Sequence, residues 1–250
     1  RNGELSTMHS INLLGDVQKA IFERTGMNPA EVGQVVGGCV GQVGMQTMNV
    51  ARNAWLAAGL PLEVAATTVD AQCGSSQQAT NLAYAMVKAG VVDSALSCGI
   101  ELMSQIKMGA TIPDAETTGV PVNARYWENY EWTSQFEGAE RIADQWGITR
   151  QDADEFGKRS QDLAAKARAE DAFSTQVVPI EVPVLDEEGK PTGETTTVSA
   201  DGGIRETDLE KLASLKPVAR EDGVHTAGSA SQISDGAGAV LMMTREKADE

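Results

Sequence analysis

Apolar residues recur at every third or fourth position in several stretches of the chain, and this spacing is typical of amphipathic helices. Between these stretches lie short runs rich in β-branched residues and glycine, which favour buried strands. Helices are predicted over 9–25, 49–58 and 75–89, strands over 64–69 and 94–99, and a strand that runs into a loop over 32–43. The alternation of strand and helix indicates a mainly parallel sheet covered by helices, and so the α/β class.

The pattern changes character from about residue 105. An irregular stretch leads into two charged amphipathic helices, the second of which begins at a capping sequence, Thr149 to Asp152. Beyond them, two alternating runs separated by a turn predict a hairpin. The helices are predicted over 137–147 and 149–171, the hairpin over 177–198 and a short helix over 209–215.

Residues 236–243 form another apolar run, which predicts a fully buried strand like those before residue 100. The sheet-forming segments therefore bracket a polar insertion. We predict an N-terminal α/β domain over 1–104, an inserted α+β domain over 105–223 and a return to the first domain over 224–250.

Charge and composition narrow the function classes. The chain carries 36 acidic and 20 basic residues, for a formal charge of −16. This charge argues against nucleic acids and anionic membranes as partners, because both bind clustered Lys and Arg. No apolar run approaches the roughly 20 residues that cross a bilayer. Three widely spaced cysteines favour a reducing, cytoplasmic location, and two distant histidines with no metal-ligand spacing predict no metal site.

The position of one cysteine, at the start of a predicted helix, favours a reactive thiolate. The strand at 64–69 runs almost directly into the helix at 75–89, which places Cys73 at the start of that helix. Free backbone N–H groups and the helix dipole favour an anion there, so a thiol can become a thiolate nucleophile. Position alone leaves the alternative of an ordinary small buried residue equally open. For Cys39 and Cys98, which lie within apolar runs, the core interpretation is favoured.

Two segments rich in small residues are weaker candidates. Residues 37–44 resemble a phosphate-binding loop but match neither established glycine spacing, and a strand-end loop with positive φ explains these glycines better. Residues 224–231 have room for an extended ligand against the backbone, although a tight packing loop explains their spacing better. His225, within this segment, is interpreted as a loop histidine rather than as a base for Cys73.

Residues 70–79, DAQCGSSQQA, resemble the nucleophile motif of the thiolase family, roughly V-N-x-x-C-x-S-G-x-x-A. Each further landmark is weak alone, and the set in family order is specific. Residues 49–52 and 58–61 resemble N-P-A-R and A-G-L-P, 99–104 resemble G-G-x-E-x-M-S, 139–143 resemble A-E-x-x-A, and 226–231 with 235–237 resemble T-A-G-N-A-S and D-G-A. The resemblance implies a layered α/β/α thiolase fold, of which this chain contains mainly one half with an inserted loop domain.

The resemblance also implies a function and its residues. Cys73 would accept the acyl group of an acyl-CoA or a 3-ketoacyl-CoA and pass it to a second CoA or, in the reverse condensation, to an acetyl-CoA carbanion. Coenzyme A and acyl-CoA would be substrates, with no tightly bound cofactor. The protein would form a homodimer or homotetramer through surface near 39–60 and 73–90. The residues implied to contact CoA or substrate are Arg205, Leu215, Val218, Ala219, Ala227, Ser231 and Gln135.

The chain departs from the family pattern at several positions. Asp70 stands where the family commonly has Asn, Ser76 where it has Gly, and Ser229 where it has Asn. Ser134 and Gln135 occupy about the place of a His-Met pair that lines the acyl pocket of many biosynthetic members. These departures favour a degradative thiolase with another acyl chain, a bulky one included.

Three C-terminal motifs of the family, N-E-A-F, G-H-P and C-x-G, do not occur in residues 1–250, and the family's first strand has no counterpart ahead of Arg1. We therefore expect a chain that lacks the C-terminal thiolase domain and, taken alone, is incomplete for turnover. Two alternatives stay open. One is a non-catalytic thiolase-like subunit or inactive fragment, which the missing motifs favour. The other is a ketoacyl-synthase-type condensing enzyme, which the match at 99–104 opposes.

Overall fold

The computed structural model describes residues 3–112 and 115–250. Arg1 and Asn2, at the expected front boundary of the chain, lie outside the described residues, as do residues 113 and 114. The chain divides into two compact units. Unit 1 comprises Arg1–Pro113, Val178–Ala200 and Ile233–Glu250, and unit 2 comprises Asp114–Val177 and Asp201–Gln232.

Most predicted helices and strands lie within a few residues of their predicted bounds. The elements up to residue 102 are α1 Ser10–Thr25, β1 Gln34–Gly38, α2 Val50–Ala57, β2 Ala66–Val69, α3 Ser75–Lys88 and β3 Ser94–Leu102. The later elements are α4 Ala115–Thr118, α5 Ala124–Trp127, α6 Gln135–Trp146, α7 Arg150–Ala169, β4 Ile180–Leu185, β5 Pro191–Val198, α8 Leu209–Ala213, β6 Asp235–Met243 and α9 Arg245–Asp249. Short 3-10 helices lie at Pro29–Glu31 and Gly44–Gln46.

Local signals set several of these bounds. Helix α1 begins where the side chain of His9 accepts the N–H of Ile11, and it ends at Gly26, whose φ of 74° suits a residue without Cβ. Helix α7 begins at the predicted capping box, in which Thr149 and Asp152 each accept the other's backbone N–H. Sequence alone therefore located these ends correctly.

Four strands form one sheet in the order β2-β1-β3-β6. Strand β1 runs parallel to β2 and β3, which confirms the mainly parallel sheet, whereas β6 runs antiparallel to β3. The prediction that 236–243 is fully buried is wrong, because these residues alternate between half-buried and exposed. Among the described strands β6 has only β3 as a neighbour, so it lies at an edge. Strand β2, at the opposite edge, is likewise only partly buried.

Helices cover both faces of this sheet. Helices α1 and α2 pack with one face, where Val35 and the fully buried Trp55 share a core. The next strand residue, Val36, points to the other face and packs with Ala79 and Ala83 of α3. This arrangement confirms the layered α/β/α architecture of unit 1.

The hairpin of β4 and β5 belongs to unit 1, although the insertion predicted at 105–223 contains it. Ile180 and Val182 are buried in the same core as α1 and α2, and Thr7 Oγ1 donates to Pro183 O at 3.2 Å. Residues 224–232, predicted to return to the first domain, belong instead to unit 2. Residues 105–113, predicted as the start of the insertion, also belong to unit 1. The compact units differ from the predicted segments at these three places, because long-range packing rather than local pattern assigns them.

Unit 2 is built largely from α6, α7 and α8. Helix α6 begins at Ser134, whose Oγ accepts the N–H of Glu137 at 3.1 Å. Ahead of α6, the rings of Tyr126, Trp127 and Trp132 pack against one another, with Tyr126 and Trp127 edge-on. Among the described residues no helix combines the length and the apolar character needed to cross a membrane.

Candidate active site

Cys73 lies in the short connection between β2 and α3, and its side chain is exposed. The alternative of a buried core residue is therefore wrong. Cys39 and Cys98 are buried, as predicted. Burial raises the pKa of the Cys98 thiol to about 11, and burial together with the Glu101 carboxylate raises the pKa of the Cys39 thiol further. Of the three cysteines, Cys73 is the one with a solvent-exposed side chain.

Two glycines let the start of α3 lie directly against the sheet. A Cβ added at Gly38 of β1 would lie 2.5 Å from backbone atoms of Ser75 and Ser76. A Cβ at Gly99 of β3 would overlap Ser76 Oγ. A larger residue at Gly38 would push the helix away, because it meets backbone atoms, whereas one at Gly99 would first displace the Ser76 hydroxyl. The position of the Cys73 turn therefore depends on the small size of these strand residues.

The backbone of this turn is held by side chains on both sides of Cys73. Gln72 has a φ of 53°, a left-handed conformation that residues with a Cβ rarely adopt. Asp70 Oδ1 accepts the N–H of Gln72 at 2.7 Å. The buried Ser75 Oγ accepts the N–H of Ala71 at 3.0 Å and donates to Gln72 O at 2.6 Å. Cys73 thus sits in a fixed turn rather than in a loose loop.

The glycine-rich segment 37–44 binds an anion supplied by the chain itself. Glu101 Oε1 accepts the N–H groups of Val40 at 2.6 Å and Gly41 at 2.8 Å, and the thiol of Cys39 donates to it at 3.3 Å. The position that a phosphate would take in a nest of backbone N–H groups is filled by this carboxylate. The phosphate-loop alternative is wrong. The positive-φ explanation holds only for Gly44, since Gly37 and Gly38 instead permit close packing.

The landmark at 49–61 holds α2 against the edge of the sheet. Asn49 Nδ2 donates to Ala66 O at 2.9 Å, and its Oδ1 accepts from Thr68 Oγ1 at 2.8 Å. Arg52 donates to the carbonyls of Leu62 and Val64. These contacts tie α2 to β2 and to the segment before it, so this landmark acts structurally.

In unit 2, α7 braces the segments that carry the predicted CoA contacts. At its first turn, Arg150 Nη2 donates to Leu212 O and, at 3.0 Å, to Leu215 O, while its Nε donates to the buried Asp154 at 2.9 Å. Two turns further, a Cβ at Gly157 would lie 2.5 Å from Gly228 O. Helix α7 therefore meets the end of α8 and the 226–231 loop along one face.

The same face of α7 reaches the segment that contains Arg205. Gln161 Oε1 accepts the N–H of Arg205 at 2.9 Å. Gly203 O accepts from Gln232 Nε2 at 2.8 Å, which joins this segment to the residue after Ser231. Within residues 3–112 and 115–250, no ion pair involves the exposed Arg205 guanidinium. The backbone of Arg205 is thus held in place, while its guanidinium group is available to a ligand.

The 223–231 loop is built on a buried carboxylate. Glu140 of α6 is 1 % exposed, and its two oxygens accept the N–H groups of Val224 and His225, each at 2.9 Å. His225 O in turn accepts the N–H of Val218 at 3.0 Å. The buried Thr226 closes the loop, since its Oγ1 accepts the N–H of Gly228 at 3.1 Å. This loop has a defined shape before any ligand arrives.

Unit 2 thus brings together most of the predicted contacts. The Val218 bond to His225 sets Val218 and Ala219 beside the start of the loop, and Gly228 packs on Leu215. Ala219, Ala227 and Ser231 are exposed, and Leu215 and Val218 are partly exposed apolar side chains. Gln135 is the exposed first residue of α6. Cys73 belongs to unit 1.

Sequence reasoning missed the roles of Glu101, Glu140 and Asp70. The signal was available for Glu101, because it is the one charged residue in the run over 94–102. Glu140 lies in a charged amphipathic helix, so the sequence does not distinguish it from its exposed neighbours. The half-buried Glu101 and the buried Glu140 both accept backbone N–H groups of a distant loop. For Glu101 the sequence shows the need for donors but does not show which loop supplies them.

Comparisons with known proteins agree with this architecture. Residues 1–246 match the family described as thiolase, N-terminal domain. A steroid 3-ketoacyl-CoA thiolase of Mycobacterium tuberculosis is 36% identical over 97% of this chain and 58% of its own length. A 3-ketoacyl-CoA thiolase of Bacillus subtilis is 35% identical over 100% of this chain and 63% of its own length. The crystal structure of a Bacillus anthracis acetyl-CoA acetyltransferase has a TM-score of 0.81 and 32% identity, covering 99% of this chain and 62% of that one. The chain therefore spans about three fifths of the length of these relatives.

Proposed function

The chain belongs to the thiolase family through its N-terminal domain, and from this premise we propose that it supplies the acyl-accepting cysteine and the CoA-binding surface of a CoA-dependent acyltransferase. The observation that carries the proposal is the exposed Cys73 thiol on a fixed strand-to-helix turn. A nucleophile must reach its substrate and keep one geometry, and this cysteine meets both needs. The names of the relatives support the same reaction class.

The chemistry assigned to Cys73 is covalent acyl transfer. Its thiolate attacks the carbonyl carbon of an acyl-CoA, a new S–C bond forms, and the bond from that carbon to the CoA sulfur breaks. CoA leaves and takes up the proton that the thiol gave up. With a 3-ketoacyl-CoA the attack falls on the keto carbon, the adjacent C–C bond breaks, and acetyl-CoA leaves after protonation. A second CoA then releases the acyl group from Cys73.

The CoA-binding part of the proposal rests on unit 2. Arg205 supplies a cation for the phosphorylated end of CoA. Basic residues are outnumbered by acidic ones in this chain of charge −16, so a local cation matters for binding an anion. Partly exposed Leu215 and Val218 offer apolar contact to the pantetheine and adenine. Ala219, Ala227 and Ser231 border the same loop with small side chains, which leaves room for an extended ligand. CoA and acyl-CoA are substrates here, with no tightly bound cofactor.

The departures from the family pattern and the names of the relatives support a proposal for the direction of the reaction and for the acyl chain. Gln135 and Ser134 replace the His-Met pair of biosynthetic members, and several relatives carry 3-ketoacyl-CoA thiolase names. We assign the chain to a degradative thiolase. A relative acting on a steroid substrate supports room for bulky acyl groups.

The proposal also covers assembly and location. Met48 is 85 % exposed with a φ of 55°, and Tyr84 is 59 % exposed, both within the surface predicted to join copies of the chain. We propose a homodimer or a homotetramer. A cytoplasmic location follows the reduced cysteines and the bacterial relatives, although two Arabidopsis thaliana relatives are peroxisomal by name.

Acylation of Cys73 is the direct test, and it requires one acyl transfer rather than turnover. The 250-residue chain is incubated with acetoacetyl-CoA and its peptides are analysed by mass spectrometry. We expect an acetyl mass on the Cys73 peptide that hydroxylamine removes, and none in Cys73→Ala. At pH 8 Cys39 and Cys98 stay protonated and buried, so they are internal controls. If Cys73 stays unmodified in a chain that is shown to be folded, the proposal is contradicted.

Removal of Arg205 tests the CoA surface. Arg205→Ala loses one charge-assisted contact, and we expect the Kd for CoA, measured by calorimetry, to rise about tenfold. The matched control is Arg168→Ala, which removes an exposed arginine of α7 outside the predicted contacts. Equal weakening by both variants would point to a general charge effect and contradict a site at Arg205.

A further inference from the structure

Asp70 is bonded to the backbone beside Cys73, and the resemblance to the family gives it no role. We propose that Asp70 is a positioning residue for Cys73, which fixes the left-handed Gln72 and thereby the direction in which the thiol faces. This inference rests on the proposed function, since it assumes that Cys73 is the acyl acceptor. It concerns one carboxylate oxygen and one N–H group, so a pair of substitutions can test it.

The first step is the energy of the turn. A left-handed conformation is unfavourable for a residue with a Cβ, and Gln72 has a φ of 53°. Something must offset that cost if the conformation is to persist. The Asp70 Oδ1 bond to the Gln72 N–H, at 2.7 Å, spans two residues and is charge-assisted. It therefore favours the left-handed conformation of Gln72 over an extended one.

The second step is what the remaining contacts do. Ser75 Oγ lies 3.5 Å from Asp70 Oδ1 and binds Ala71 N–H and Gln72 O. It thus closes the other side of the turn but leaves the Gln72 N–H to Asp70. Gly74 N–H donates to Ala71 O at 3.1 Å, which completes a tight loop around Cys73. Loss of Asp70 frees the one residue of this loop whose backbone is strained.

The third step separates the oxygen from the charge. The bond uses Oδ1 as an acceptor, and an asparagine carries the same acceptor without the charge. Asp70→Asn therefore keeps the positioning contact, whereas Asp70→Ala removes it. This difference explains how the chain tolerates an aspartate where the family commonly has Asn. It also gives the test its conservative variant.

The experiment measures the rate of Cys73 acylation by acetoacetyl-CoA at one pH, using intact-mass spectrometry on the 250-residue chain. We expect Asp70→Ala to slow acylation at least tenfold and Asp70→Asn to stay within about threefold of the unsubstituted chain. Asp93→Ala, an exposed aspartate of unit 1 with its side chain outside this turn, is expected to change nothing. Alkylation of Cys73 by iodoacetamide should stay within about threefold in all variants, because the thiol remains exposed.

The outcomes are distinguishable. If the unsubstituted chain is not acylated, the proposed function fails and this inference fails with it. If that chain is acylated and Asp70→Ala matches it, or if Asp70→Asn slows as much as Asp70→Ala, positioning by Oδ1 is overturned. Alkylation of Cys39 or Cys98 would report unfolding of Asp70→Ala. In that case Asp70→Ser, which retains a weaker acceptor, must acylate more slowly than Asp70→Asn, and an equal rate overturns the inference.

Discussion

The turn at Cys73 and the loop at 223–231 are both preformed, but they are held by different forces. The Cys73 turn rests on the sheet through close packing, where Gly38 and Gly99 leave no space between strand and helix. The 223–231 loop rests on a buried carboxylate, since Glu140 supplies both acceptors for its first N–H groups. The position of the Cys73 turn on the sheet therefore depends on two strand residues without a Cβ, whereas the shape of the 223–231 loop depends on a buried carboxylate.

The two sites should therefore be sensitive to different kinds of substitution. Packing against a strand is lost when a single methyl group is added, because interiors are close-packed and backbone atoms cannot move aside cheaply. A loop that is held by hydrogen bonds to a carboxylate loses its structure when that acceptor is removed, because its N–H groups then lack partners. We therefore expect an added methyl group to disrupt the Cys73 turn and the removal of a carboxylate to disrupt the 223–231 loop.

The largest effect is expected from Gly38→Ala. The new Cβ would meet the backbone of Ser75 and Ser76 at 2.5 Å, so α3 must shift. We expect the free energy of unfolding of unit 1 to fall by about 3 kcal/mol, measured by hydrogen exchange of peptides from β1 and α3. Gly236→Ala is the control, because nothing lies within 4 Å of its added Cβ. A control as damaging as Gly38→Ala would contradict the packing account.

A smaller effect is expected from Glu140→Ala. The change leaves the N–H groups of Val224 and His225 without their acceptor. We expect unit 2 to lose about 2 kcal/mol, seen as faster hydrogen exchange in peptides covering 223–231. Asp144→Ala, on the same helix, removes an exposed carboxylate bonded to Arg220. Asp144→Ala should lower the free energy of unfolding of unit 2 by less than about 1 kcal/mol. Equal losses in the two variants would contradict a special role for Glu140.

The smallest of the three is expected from Thr149→Ala. The capping box at Thr149 and Asp152 begins the helix that braces the 226–231 loop and the Arg205 segment. Loss of the threonine oxygen should cost about 1 kcal/mol, measured as a shift in the urea midpoint. Thr149→Ser keeps the oxygen and should restore most of the loss. If the serine variant is as unstable as the alanine variant, capping is not what stabilises α7.

Local signals in the sequence predicted the parts of the fold that local physics controls. Gly26 ends α1 and Thr149 begins α7, because each acts on its own helix. The apolar run at 236–243 misled the prediction, since a run of apolar residues does not reveal that its strand lies at an edge. The hairpin at 177–198 was found, but its membership in unit 1 depends on Ile180 and Val182 entering a core formed by distant residues.

For the site, local sequence is enough to show that Cys73 precedes a helix and that thiolase landmarks occur in order along the chain, because both are read from neighbouring residues. Tertiary structure alone decided that Cys73 is exposed while Cys39 and Cys98 are buried. It also decided which backbone groups satisfy Glu101 and Glu140. The physical reason is that burial and hydrogen-bond pairing join residues about 60 to 85 positions apart, and only the folded chain brings those positions together.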